Sequence, residues 1–169
     1  MPVFGPLDCD SLDSRLRALL EPLLREVRAV YRESLISAAV FGSQARGTAG
    51  PDSDVDLLIV AEPLPRGRMP RVQQFLPVEE ALAARYPSFR SLRLSPVFKT
   101  PDEVKRGSPL FWDMTEDAII LHDRDGFFQK HLEEVRRRLR ELKARRVFKG
   151  NAWYWILKED YRPGEVFEL

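Results

Sequence analysis

The chain has one cysteine, Cys9, and two histidines, His122 and His131, among 169 residues. A lone cysteine closes no internal disulfide, which suits a reducing compartment. The two histidines have no cysteine or histidine cluster around them. They offer neither a metal-ligand set nor a nucleophile and base, and both read as structural. An excess of charge of one sign is also missing. With 27 basic and 26 acidic residues the net charge is +1, so bulk charge selects neither a nucleic acid nor a membrane as partner. No apolar run approaches the roughly 20 residues that span a bilayer. The N-terminal "MPVFGPLDCD" has no basic stretch followed by an apolar one, so it does not read as a secretory signal. Repeats and low-complexity segments are absent. These absences predict a soluble, cytoplasmic protein.

What remains is an ordinary globular mixture, 44% hydrophobic and 31% charged, long enough for one domain with a core of its own. Asp10 or Ser11 can cap a first helix carrying Leu12, Leu16, Leu19, Leu20, Leu23, Leu24, Val27, Val30 and Tyr31 at helical spacing. Pro22 inside it predicts a kink or a division into two pieces. "SLISAAVF" reads as a buried strand and "SQARGTAG" as a short helix or turn. "DVDLLIVAE" reads as a second strand, with a loop over "PLPRGRMPR". "VQQFLPVEEALAARY" is helical, with a local break expected at Pro77. "SLRLSPVFK" is a third strand, and Pro96 marks it as an edge or a bulge. Two short helices, "PDEVKRG" and "SPLFWDMTED", lead to a fourth strand, "AIILHD". A long helix is expected over residues 125–146, with Phe128, Leu132, Val135, Leu139 and Leu142 on one face. The end, residues 149–169, is too aromatic for a free tail and is expected to dock. The expectation is a single domain over 1–169 with its core at about 34–122. Four strands alternating with helices read as an α/β (α+β) fold.

The chemistry concentrates in "FGSQARGTAGPDSDVDLLIV". The connection from Gly42 to Ser53 is too short for a comfortable parallel crossover, so the flanking strands are expected to be antiparallel neighbours. That brings Gly42 and Ser43 beside Asp54 and Asp56. Strand alternation puts both carboxylates on one face and Val55, Leu57 and Ile59 on the other. Two adjacent carboxylates need a counter-charge, and a magnesium ion held by carboxylates and substrate phosphates supplies one. Gly42 permits close backbone approach to a phosphate. Ser43 opens the short helix and can present its N–H and hydroxyl to an anion, and Arg46 can neutralise a further phosphate oxygen. Two rival motifs fail. A P-loop beginning at Gly42 would need Lys where Thr48 stands, and an EF-hand beginning at Asp52 would need Gly where Leu57 stands and Glu where Pro63 stands.

At these residues the chain resembles the minimal nucleotidyltransferases of the polymerase-beta-type superfamily. Their signature is Gly-Ser, about ten residues, then Asp-x-Asp, and here it stands as Gly42-Ser43 and Asp54-Val55-Asp56. The resemblance implies the nucleotidyltransferase fold, a mixed, largely antiparallel four-stranded sheet with helices packed on it. It further implies magnesium ions at Asp54 and Asp56, with manganese as a substitute, and transfer of a nucleoside monophosphate from a nucleoside triphosphate to an acceptor hydroxyl. AMP from ATP is the expected case. It also implies an alternative: an antitoxin-like or degenerate nucleotide-binding partner of a HEPN-type helical protein, with little or no catalysis. Some relatives act by adenylylating that partner. The family's usual third acidic residue, in the middle of the third strand, has no counterpart, since Arg93 and Ser95 stand there. Triphosphate binding is therefore expected to persist while transfer is slow. Asp113, Glu116 and Asp117 read as helix-surface or turn charge, and "RRRLRELKARR" as a solvated helix face rather than an RNA-binding surface. "NAWYWILKED" reads as core packing or a partner-binding stripe.

Overall fold

A computed structural model describes residues 14–50, 52–87, 92–150, 152–162 and 165–166. The proposed cap at Asp10 or Ser11 and the last residues of the tail lie outside them. The elements in chain order are α1 (Ser14–Tyr31), β1 (Leu35–Phe41), α2 (Gly42–Ala45), β2 (Val55–Ala61), α3 (Arg68–Arg85), β3 (Leu94–Lys99), α4 (Pro101–Lys105), α5 (Pro109–Asp117), β4 (Ile119–Asp123), α6 (Phe127–Glu141), β5 (Arg145–Lys149) and β6 (Ala152–Ile156). The main sheet has the order β3-β2-β1-β4, and β5 and β6 form a separate hairpin. β1 pairs antiparallel with β2 and with β4, while β2 and β3 run parallel with α3 in the crossover. The sheet is thus mixed and largely antiparallel, with Pro96 on an edge strand that needs no N–H there.

Alternation along β2 divides the core. Val55, Leu57, Ile59 and Ala61 pack under α1 and α3 with Leu23, Val27, Phe75 and Val78. Leu58 and Val60 pack on the other face with Val104, Phe111, Met114, Phe128 and Leu132 of the later helices. Edge-to-face aromatic pairs lie on each side, Phe75 with Phe98 at 5.6 Å and Phe111 with Phe128 at 5.7 Å between ring centres. Asp56 shares the face of Leu58 and Val60, so the motif carboxylate looks toward α5 and α6.

Four expectations are corrected. α1 continues through Pro22 as one helix, and α3 through Pro77. Each proline orphans the carbonyl four residues back, on Ala18 and Gln73, and both residues are exposed, so water satisfies what the helix cannot. α3 begins at Arg68, inside the stretch read as loop, because Pro70 falls in its first turn, where a missing N–H costs nothing. The long helix ends at Glu141 rather than at 146. Lys143 adopts φ 55, and the N–H of Ala144 returns to Leu139 O at 2.8 Å, a left-handed stop of the kind that closes helices. Residues 145–149 then pair with 152–156, so the aromatic tail is a hairpin.

Candidate active site

The turn between β1 and β2 is built around Gly42. Its φ is +74, and a β-carbon placed on it would lie 2.2 Å from Asp56 Oδ2. Only glycine combines that backbone angle with that approach. The register pairs Phe41 with Asp56, so antiparallel pairing itself delivers Gly42 and Ser43 to the carboxylate. α2 is a single turn closed by Arg46 N–H to Gly42 O at 3.1 Å. So short a helix has a small dipole, and what it offers an anion is its individual N–H groups. Gln44 is buried and donates Nε2 to Ser53 O at 3.4 Å, tying this turn to the segment leading into β2.

Asp56 and Asp54 differ in surroundings. Burial raises the Asp56 carboxyl above its ordinary range and the neighbouring Asp54 charge raises it further, against a lowering hydrogen bond from Ser95 and the charge of Arg46. Ser95 stands directly across from Asp56 in the parallel ladder. Asp54 is half exposed and pairs with Arg93 Nε at 2.8 Å, while Arg93 also donates Nη2 to Asp52 O at 3.0 Å. Among the described residues no group of three or more His, Cys, Asp or Glu side chains could hold a metal. The acidic groups of the motif that could hold a metal are the two carboxylates, Asp54 and Asp56. That set fits a hard dication completed by phosphate and water oxygens, not one caged wholly by protein. Arg93 is largely exposed, so its pairing with Asp54 is weak enough for a dication to displace.

Residues 20–147 match the nucleotidyltransferase domain family. The chain belongs to that family. As a nucleotidyltransferase-family chain it is similar, at 29% identity over 143 residues, to a Methanocaldococcus jannaschii protein provisionally named a protein adenylyltransferase, the match covering 83% of this chain and 95% of that one. Solved structures with a related fold include a toxin–antitoxin crystallised with AMP-PNP, at 16% identity and TM-score 0.49 over 73% of this chain and 92% of that one. Another is a Shewanella oneidensis tri-AMPylated HEPN toxin in complex with its MNT antitoxin, at 14% identity and TM-score 0.46 over 75% and 92%. Likeness at that level sets neither ligand nor partner. No described helix is long and apolar enough to cross a membrane.

Arg46 is also paired within the chain. Its Nη1 donates to Asp117 Oδ2 at 3.0 Å, and its guanidinium lies 4.5 Å from the centre of the Trp153 ring. Asp117 was read as surface charge and is buried. It accepts a second guanidinium, Arg146 Nη1, at 3.2 Å. Asp113 Oδ1 accepts the indole N–H of both Trp153 and Trp155 at 2.9 Å, so its carboxylate holds the hairpin. No local pattern marks these contacts, because they join segments far apart in the chain. Gln44 was equally unmarked, although it lies within the "GSQARG" wording of the motif, and Ser95 was noted only as standing where the family's third acid is expected. His131 stacks on Phe128 and meets Phe111 edge-on, and His122 Nδ1 lies 3.0 Å from Arg28 Nη2, so both histidines are structural.

Proposed function

We propose that this protein is a minimal nucleotidyltransferase that moves AMP from ATP to a hydroxyl of a protein acceptor, with magnesium held by Asp54 and Asp56. The observation that carries the reading is the closeness of Asp56 Oδ2, 2.2 Å from the place a Gly42 β-carbon would take, which sets the acidic residue against the Gly42–Ser43 turn. The family match and the similarity to a provisionally named protein adenylyltransferase support the reaction class and the choice of a protein acceptor. The acceptor oxygen bonds to the α-phosphorus, the bond from that phosphorus to the β-bridging oxygen breaks, pyrophosphate leaves, and the hydroxyl proton passes to solvent. A bound dication supplies charge neutralisation of the triphosphate and of the leaving group.

The chain's own groups do the rest. Gly42 admits the phosphate to the backbone, and Ser43 offers its N–H and hydroxyl. Arg46 contributes fixed positive charge beside Asp56. Ser95 orients Asp56. With Ser95 where relatives carry a third acid, transfer is slow and triphosphate binding is retained. A HEPN-type helical protein is the first acceptor to test, in the reducing cytoplasm that a single cysteine suits. The test is incubation of the chain with ATP labelled at the α-phosphate, magnesium and a candidate HEPN-type protein. Label on that protein, absent with Asp54→Asn, is the expected result. Nucleotide binding with no label on any acceptor, with manganese as well as magnesium, would instead favour a binding partner without catalysis.

A further inference from the structure

The residue that closes the motif turn is gripped from two distant parts of the chain. Asp117, at the end of α5, takes one face of the Arg46 guanidinium edge, and Trp153, on β6, covers its plane. Arg146 of β5 completes the cluster, bonded to Asp117, 3.6 Å from Asp113 and 5.1 Å from the Trp153 ring centre. The Trp153 ring is itself oriented, because its indole N–H is fixed by Asp113. Side-chain exposure is 9% for Asp117, 12% for Arg146 and 21% for Arg46, so water screens these charges little. Two guanidiniums balance two carboxylates here.

A buried ion cluster adds little net stability over apolar packing of the same volume. What it does provide is a defined position for each member. The member that matters is Arg46: its charge reaches Asp56, and its N–H closes the turn that begins at Gly42. Moving Arg46 therefore moves the Gly42–Ser43 backbone relative to the carboxylate.

We infer that Trp153 and Asp117 are positioning residues for the nucleotide site, and that the β5–β6 hairpin holds Arg46 and the motif turn against Asp56 for triphosphate binding. This rests on the nucleotide reading above. The hairpin is thus a working part of the site rather than an appendage behind it.

Calorimetric affinity for ATP with magnesium tests this in the full chain and in Trp153→Leu, Trp153→Phe, Trp155→Phe, Arg46→Ala and the Trp153→Leu/Arg46→Ala double variant. Each is first shown by urea unfolding to be folded at the assay temperature. Trp153→Leu is expected to weaken binding about tenfold, the scale of one desolvated cation–ring contact, and Trp153→Phe to restore most of it. Trp155→Phe removes the same kind of bond to Asp113 but no ring over Arg46, and should weaken binding less than Trp153→Leu. In the Arg46→Ala background Trp153→Leu should add nothing. Should Trp153→Leu not fold, Asp117→Asn takes its place in the same comparison. Unchanged affinity in Trp153→Leu, an equal loss in Trp155→Phe, or additive losses in the double variant would each overturn the inference alone. A wild-type chain that binds no ATP with magnesium would overturn the nucleotide reading, and this one with it.

Discussion

The Asp56 carboxylate occupies the space that a side chain at Gly42 would need: Oδ2 lies 2.2 Å from the place of its β-carbon, at a backbone φ of +74. Gly42 was expected to be glycine for the sake of a phosphate. It is already required by the ligand-free fold. Gly42→Ala should therefore destabilise the protein by roughly 2 kcal/mol or more, from left-handed strain and overpacking together. In an Asp56→Ala background the cost should fall to about 1 kcal/mol, the strain alone. Urea unfolding of the four proteins measures both. Equal costs in the two backgrounds would place the clash elsewhere.

Asp56 costs the fold stability at neutral pH. Its carboxyl is raised by burial and by Asp54, so the folded state holds its proton more tightly than the unfolded chain does. Stability from this group is present at acid pH and is lost as pH rises from the ordinary value of 3.8 through the raised one. Asp56→Asn should then stabilise the ligand-free protein at neutral pH, with the gain disappearing below about pH 4. Melting temperatures across pH 3 to 8 check this, and a destabilised variant at pH 7 would refute the assignment of cause.

Metal and nucleotide should stabilise together. At about 100 times its dissociation constant a ligand adds about 2.7 kcal/mol to the state it binds. ATP with magnesium or manganese should raise the melting temperature of the wild-type chain, ATP with a chelator should not, and Asp54→Asn/Asp56→Asn should be insensitive to both. Because the carboxylates must be ionised to hold the metal, the shift should shrink as pH falls toward the raised Asp56 value. A full shift in the double variant would remove Asp54 and Asp56 from the site.

Asp117 and Glu134 distinguish buried from exposed charge. Asp117 is 9% exposed between two guanidiniums, whereas Glu134 pairs with Arg137 and Arg138 on the outside of α6 at 54% exposure. Asp117→Ala leaves Arg46 without its carboxylate and Arg146 with Asp113 alone, and should cost about 3 kcal/mol. Glu134→Ala should have no measurable effect. Chemical denaturation of the two variants decides, and equal effects would mean that the cluster is screened like a surface pair.

His131 should make the fold acid-sensitive. Burial among Phe111 and Phe128 lowers its pKa from the ordinary 6.5, and its buried Nε2 has no hydrogen-bond partner among the described residues. The unfolded chain takes up the proton first, so stability is lost as pH falls below 6.5. His131→Phe should flatten that loss, with a larger gain at pH 5 than at pH 7.5. A pH-independent gain would mean that the effect is packing alone.

How much of this was legible in the sequence follows from the range of the forces involved. Strand alternation and turn length act over a few residues. They were enough to place β1 and β2 side by side, to put Asp54 and Asp56 on the face away from Val55 and Leu57, and to seat Gly42 beside them. The short helices α4 and α5 were legible locally too, whereas the mixed sheet was implied by the resemblance of the motif to a family; the Thr100–Glu103 capping box at the start of α4 was a local signal left unread. Local rules failed where burial outweighed propensity. Two prolines sit within continuous helices, and "KARRVFK", a good helix continuation by composition, turns into a strand because β6 is there to pair with it. The partners of the site residues were beyond local reach altogether. Which atom of β3 faces Asp56 depends on the register of a parallel ladder. The capture of Arg46 by Asp117, 71 residues away, and by Trp153, farther still, depends on how α5 and the hairpin close over the sheet. Residue type and spacing determined which groups could carry the chemistry; tertiary packing decided which charges are desolvated and which side chains hold them in place.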